Sequence, residues 1–289
     1  MNIIFSINGG IGKVIASTAV CAAIKEKYPE DNLIVVSGYP EVFINNPNVY
    51  KSFAFGQTHY FYKDFIESQK DLKIFAHDPY VEAKHVMREE HLIETWCRMY
   101  DLPVVKQKGE LFLTKREIDF FRNKYSSDRP IMLLQTNGGA QADLKYSWAR
   151  DMPRAVAEEV ISTMNKTYNV LHLRREDQLK FDGTFSVTDN FRGLAVLIHL
   201  SEKRLFIDSF AQHAAAAMDK SSTVLWVCNS PKVFGYDMHT NIEANPETLH
   251  PDLRNSFLAK YNIAGDLNEF PYNDESEIFN IEQILESLK

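Results

Sequence analysis

Short apolar runs alternate with helical stretches along almost the whole of this 289-residue chain, and that alternation narrows the fold more than any other feature. Strands are predicted first at 3–7, 33–36, 52–55 and 72–75, with helical patterns at 13–27, 60–68 and 88–100. Val14, Ala19, Ala22 and Ala23 recur at helical spacing and mark the inner face of the first helix. A polar stretch at 122–130 reads as a linker. The alternation then restarts, with strands at 131–135, 169–173, 184–187, 205–207 and 224–227 and helices at 154–165, 194–200 and 212–218. Ile278, Ile281, Ile284, Leu285 and Leu288 mark an amphipathic terminal helix. The pattern predicts the α/β class, with two Rossmann-like, doubly wound parallel sheets. The expected division is 1–125 and 126–270, with a helix at 271–289 packing back on the first domain. Sheets of this kind bind ligands beyond the C-terminal ends of their strands, which puts the site in a cleft between the two.

Composition removes several classes. The net charge of -7 leaves no general basic footprint, so any nucleic-acid contact has to come from a local patch. Three scattered cysteines, Cys21, Cys97 and Cys228, fit a reducing compartment better than a disulfide framework. The chain opens directly on a strand and no apolar run reaches membrane-spanning length, so a soluble, cytoplasmic protein without a membrane span is expected.

The opening strand runs into Asn8-Gly9-Gly10-Ile11-Gly12-Lys13. A nucleotide-hydrolysing phosphate loop needs an earlier glycine and a hydroxyl after the lysine; here Ile7 and Val14 stand in those places. An ATPase built on Gly9 to Lys13 is the alternative from another class. A plain strand-to-helix turn is the structural reading. The favoured reading lies between them: Asn8, Gly9, Gly10 and Gly12 line the cleft, with helix-start amides facing an anion or acceptor.

Two later stretches are more specific. One is Leu134-Gln135-Thr136-Asn137-Gly138-Gly139, followed by Lys145-Tyr146-Ser147-Trp148. The other is Asp208-Ser209-Phe210-Ala211-Gln212-His213 leading into four alanines. A strand ending in Asp-Ser before a small-residue helix exposes amides and a positive dipole end that suit a diphosphate, with Ser209 as the expected cap.

These motifs, with the segment Phe191-Arg192-Gly193-Leu194 through Met218, resemble the heptosyltransferase-like glycosyltransferases of family nine, which have the GT-B fold. The resemblance implies a nucleotide-diphosphate sugar as co-substrate on the C-terminal domain, a saccharide acceptor on the N-terminal one, and inverting transfer with no cofactor and no obligatory metal. By position it implies that Asn137, Gly138 and Lys145 contact donor phosphates. Asp208, Ser209, Phe210, Ala211 and His213 then surround the diphosphate, and Arg174 or Glu176 reaches the nucleoside or sugar. The chain departs from the family where Phe210 replaces a glycine and where Lys13 replaces the first loop's catalytic aspartate.

Inverting transfer needs a base, and a protonated Lys13 can only stabilise negative charge. Asp78 or His77, in Ala76-His77-Asp78-Pro79-Tyr80 after the fourth strand, is the candidate, although Asp-Pro is also ordinary turn chemistry. His85 and His91, with Glu89 and Glu90, match no metal spacing and read as a solvated helix face. Two variants remain open. A phage-type enzyme glycosylating hydroxymethylated cytosine in DNA would need Lys13, Lys51, Lys63, Lys84 and Arg88 on one cleft wall, and a non-catalytic relative would bind donor without transferring it.

Overall fold

The computed structural model describes residues 1–67, 69–138, 147–250 and 272–289. Four parallel strands, β1 (Asn2–Ile7), β2 (Asn32–Ser37), β3 (Lys51–Ala54) and β4 (Leu72–Phe75), form a sheet in the order β3-β2-β1-β4. Helices α1 (Ile11–Lys27), α2 (Phe61–Phe65), α3 (Ala83–Val86), α4 (Leu92–Met99) and α5 (Lys115–Lys124) accompany and follow it. A second parallel sheet combines β5 (Ile131–Leu134), β6 (Asn169–Leu173), β7 (Phe185–Val187), β8 (Lys203–Ile207), β9 (Thr223–Trp226) and β10 (Thr240–Glu243), in the order β10-β9-β8-β5-β6-β7. Its helices are α6 (Arg154–Met164), α7 (Phe191–Leu200), α8 (Phe210–Ala217), α9 (Pro231–Phe234) and α10 (Ile281–Ser287).

Each sheet reverses direction once. The chain steps outward from β1 to β3 before β4 returns to the other side of β1; likewise β5 to β7 run one way and β8 returns beside β5. Loops diverge at such a switch point and leave a crevice. The loops after β1, β4, β5 and β8 are the four stretches that carry the site motifs.

Strands buried on both faces need near-continuous apolar sequence, and β5 and β8 have it. Successive residues serve different cores. Leu133 and Phe206 join the core shared with the first half, whereas Met132, Leu134, Leu205 and Ile207 join the one built with α6 and α10. The terminal helix therefore packs against α6, through Ile284 and Leu288, in place of the expected return to the first domain. Its apolar stripe is matched to the outer face of the second sheet.

Helix α1 is buried from Lys13 to Ile24, more than one amphipathic face would give. The reason is a second partner: α1 packs against α8, whose Ala211, Ala214, Ala215 and Ala216 are fully buried. The alanine run thus joins the two halves. The segment before α5 crosses the same junction, with Glu110 N donating to Thr18 Oγ1 at 2.7 Å and Leu111 N to the Ala217 carbonyl at 3.2 Å.

The short helices α3 and α9, helix α5 and strand β10 escaped the sequence reading. Helix α5 carries a capping box, Thr114 with Glu117, which was the available signal. It absorbs the first residues of the expected linker and docks on α7 through Arg192, which donates to Glu117 at 2.7 and 2.8 Å. Strand β10 buries only Ile242 and has no apolar run to betray it. Predicted helix 88–100 begins at Leu92 because Arg88 has a left-handed backbone and His91 caps the helix.

The junction leaves no room at Gly109, where an added Cβ would lie 2.4 Å from the Ile15 carbonyl oxygen. Gly109→Ala is expected to cost about 1–3 kcal/mol of stability in urea titration, as overpacking does. Gly38, around which no atom lies within 4 Å of such a Cβ, is the control; Gly38→Ala stays within about 0.5 kcal/mol.

Candidate active site

The two crevices open into one cleft of about 890 Å³. Gly10, Gly12, Lys13 and Tyr80 line it from the first sheet, and Gln135, Gly138, Asp208 and Phe210 from the second. The starts of α1 and α8 meet here. A Cβ on Gly12 would stand 2.8 Å from His213 Cδ2 and 3.4 Å from Phe210 Cα, so only glycine lets the two helices approach this closely. Neither Gly10 nor Ser209 supplies a side-chain cap. Ser209 was expected to cap α8, but its hydroxyl accepts from Gln135 Nε2 at 3.1 Å. The leading end of α8 consequently opens on the cleft with no side-chain cap on its first amides.

Lys13 does not behave as a phosphate-loop lysine. Its ammonium donates to Asp78 Oδ1 at 2.6 Å and lies 4.4 Å from the centre of the Tyr80 ring. Burial lowers its pKa, and the bond to Asp78 opposes that shift. Asp78 also caps the turn at 79–81, accepting from Tyr80 N at 2.9 Å, so the turn role and the charge role fall on one carboxylate. It lies outside the cleft lining. His77 is exposed and lies outside the cleft lining; its carbonyl accepts from the Tyr100 hydroxyl at 2.9 Å. Asn8 and Gly9 are exposed and likewise lie outside the lining.

On the donor side the expected residues divide by role. Asn137 lines the cleft, but its side chain is committed: the amide donates to Asp151 Oδ2 at 2.8 Å and the carbonyl accepts from Thr136. Asp151 also takes the amides of Gly138 and Ser147, at 2.8 and 2.9 Å, and so fixes both ends of the loop. Lys145 lies outside the described residues. Arg174 lines the cleft while its guanidinium donates to the carbonyls of Glu176 and Gln178, shaping the loop after β6. Glu176 is exposed on the cleft rim. Ala211 is fully buried, and only its backbone is available. Asp208 is 9% exposed; burial raises its pKa, and Asn229 Nδ2 donates to it. His213 bonds the Tyr236 hydroxyl through Nδ1 at 2.8 Å, and burial pushes its pKa down to about 3. It is a neutral, structurally engaged ring.

Among the cleft residues that the sequence reading missed, Arg150 and His85 bear most on the chemistry. Arg150 lines the cleft with its stem across Gly138, where a Cβ would lie 2.5 Å from Arg150 Cδ, and its guanidinium has no hydrogen-bond partner among the described residues. Only a fold placing Trp148 to Asp151 beneath the β5 loop reveals this. His85, read from sequence as solvated, is 7% exposed and lines the opposite wall, stacked on Tyr80. Among the described residues, no cluster suited to a metal ion occurs, and no helix is long and apolar enough to cross a membrane.

The basic residues named for DNA do not gather. Lys13 pairs with Asp78, Lys84 with Glu90, and Arg88 donates to the Cys228 carbonyl at 2.7 Å; of the five, only Lys13 and Arg88 line the cleft.

Two facing parallel-sheet α/β units with converging switch points define a GT-B-like fold. Solved structures share it. Escherichia coli ADP-heptose lipopolysaccharide heptosyltransferase II superposes at a TM-score of 0.70 with 13% identity, over 100% of this chain and 97% of that one. A family-nine glycosyl transferase from Veillonella parvula gives 0.69 with 11% identity, over 99% and 95%. The E. coli heptosyltransferase WaaC solved with ADP gives 0.58 with 10% identity, over 85% and 94%. No family model matches the sequence, and neither does any curated protein.

Four buried imidazoles give the fold a pH dependence. Burial takes His85, His172 and His239 down to about 4 and His213 to about 3. Below the ordinary histidine range the unfolded chain binds protons that the folded one refuses, so stability falls as pH drops from about 6.5 toward 4. Asp151 and Asp208, raised by burial, act in the opposite sense but are fewer. The urea midpoint is expected to be lower at about pH 4.5 than at about pH 7, which spans most of that window; equal midpoints would contradict this account.

Proposed function

We propose that this chain is a glycosyltransferase that moves a sugar from a nucleoside-diphosphate donor to a saccharide hydroxyl, with inversion and without an obligatory metal. The observation that carries the reading is the uncapped start of α8 together with the Arg150 guanidinium, which has no hydrogen-bond partner among the described residues, both in the cleft where the two switch points face each other. A diphosphate satisfies the helix-start amides and the guanidinium together. Structures of the same fold solved with ADP and with ADP-2-deoxy-2-fluoro heptose support the donor class.

In this reading the nucleoside lies toward Leu173, Val187 and Leu194, an apolar recess at the ends of β6 and β7. Asp208 accepts hydrogen bonds from sugar hydroxyls. Charge developing on the departing diphosphate is met by Arg150 and the dipole of α8, with Lys13 contributing from the first sheet. Lys13 cannot serve as a base while its ammonium is held by Asp78, so the pair acts as a fixed electrostatic unit. The acceptor occupies the wall formed by Ile11, Tyr39, Tyr80 and Val86. Three free, buried cysteines fit a cytoplasmic setting.

Calorimetry with ADP-heptose and UDP-glucose tests this directly. At least one is expected to bind, and Arg150→Ala should weaken it by roughly 10–100-fold, the worth of a lost charge-assisted hydrogen bond. If neither binds, or Arg150→Ala leaves affinity unchanged, the donor assignment fails. Binding with no transfer to any saccharide would identify a non-catalytic relative.

A further inference from the structure

The cleft needs a proton acceptor on its acceptor side, and the groups expected for that task are spoken for. Lys13 donates to Asp78, and Asp78 and His77 both stand outside the lining. His85 differs from all of them. It is 7% exposed, lines the first-sheet wall, and has a buried Nδ1 without a hydrogen-bond partner; no bond to Nε2 occurs among the described residues either. An unpaired polar group this deeply buried is costly unless a ligand completes it.

The ring is also held rigidly. It stacks on Tyr80 with centroids 5.1 Å apart and planes 6° apart, and Phe234 of the second half meets it edge-on at 5.2 Å. Tyr80 in turn is anchored by its own amide to Asp78 and lies under the Lys13 ammonium. The imidazole is therefore clamped between the two sheets.

Resting on the glycosyl-transfer reading, we propose that His85 is the general base that removes the proton from the attacking hydroxyl. The hydroxyl proton passes to an imidazole nitrogen while the oxygen forms its bond to the anomeric carbon. The bond from that carbon to the diphosphate breaks, and the diphosphate leaves with the electron pair. The imidazolium afterwards returns its proton to solvent. Asp78 and Glu82 favour the charged ring, while Lys13, His91 and burial oppose it. Burial wins in the free protein, so the acceptor meets a neutral imidazole, the form that can take a proton.

A base poised in this cleft activates water as well as a sugar hydroxyl, so release of nucleoside diphosphate from the donor bound above provides the assay. His85→Ala is expected to keep donor affinity within about threefold while release falls roughly 10²–10⁴-fold, the usual worth of general-base catalysis. Added imidazole should restore part of the lost rate, which a merely structural role would not allow. Near-normal release by His85→Ala overturns the inference, and so does a loss that imidazole leaves unrepaired. A wild-type protein that binds donor but releases nothing overturns it too. Failure of every donor to bind the wild type would instead strike the transferase reading itself.

Discussion

The close approach of two helix starts governs this molecule. Because Gly12 has no side chain, the beginning of α1 reaches His213 and the backbone of Phe210 at the beginning of α8. That contact sets the two switch points face to face and fixes the cleft width. It also turns two positive dipole ends toward the same space, which favours an anionic group between them. The buried alanines of α8 and the small residues of α1 extend the contact along both helices. A larger side chain at Gly12 would separate the helices and divide the site.

The identity of the residue after that glycine changes the chemistry but not the architecture. Where the resembled family carries an aspartate, this chain has Lys13, and a carboxylate from another loop, Asp78, is bonded to it. The local charge is thus a compensated pair. Compensation explains why a buried ammonium is tolerated: the Asp78 bond and the face of Tyr80 replace the water it loses.

Nine of the ten strands matched to within two residues at each end; β1, β5, β8 and β9 were legible because parallel strands buried on both sides are apolar nearly throughout. The loops after β1, β5 and β8 stood out because glycine and small polar residues cluster at those strand ends, and all three contribute residues to the cleft lining. Burial was not legible. His85 lies in a sequence of charged residues, Glu82 to Glu90, and nothing local says that its ring turns inward onto Tyr80. Arg150 was invisible for a similar reason, since its place beneath Gly138 depends on how Asp151 ties the loop ends together. Asn137 shows the converse: a polar side chain in the right loop whose hydrogen bonds are all internal.

The core that joins α1 to α8 has a consequence for the integrity of the chain. Ile3, Phe5 and Ile15 from the opening residues and Leu133, Phe206 and Ala215 from the later ones belong to a single apolar cluster. Cutting the polypeptide near residue 125 would divide that cluster and leave apolar surface on α1 and α8 facing water. The two lobes therefore share one apolar cluster, although the second also holds a separate one of its own around α6 and α10.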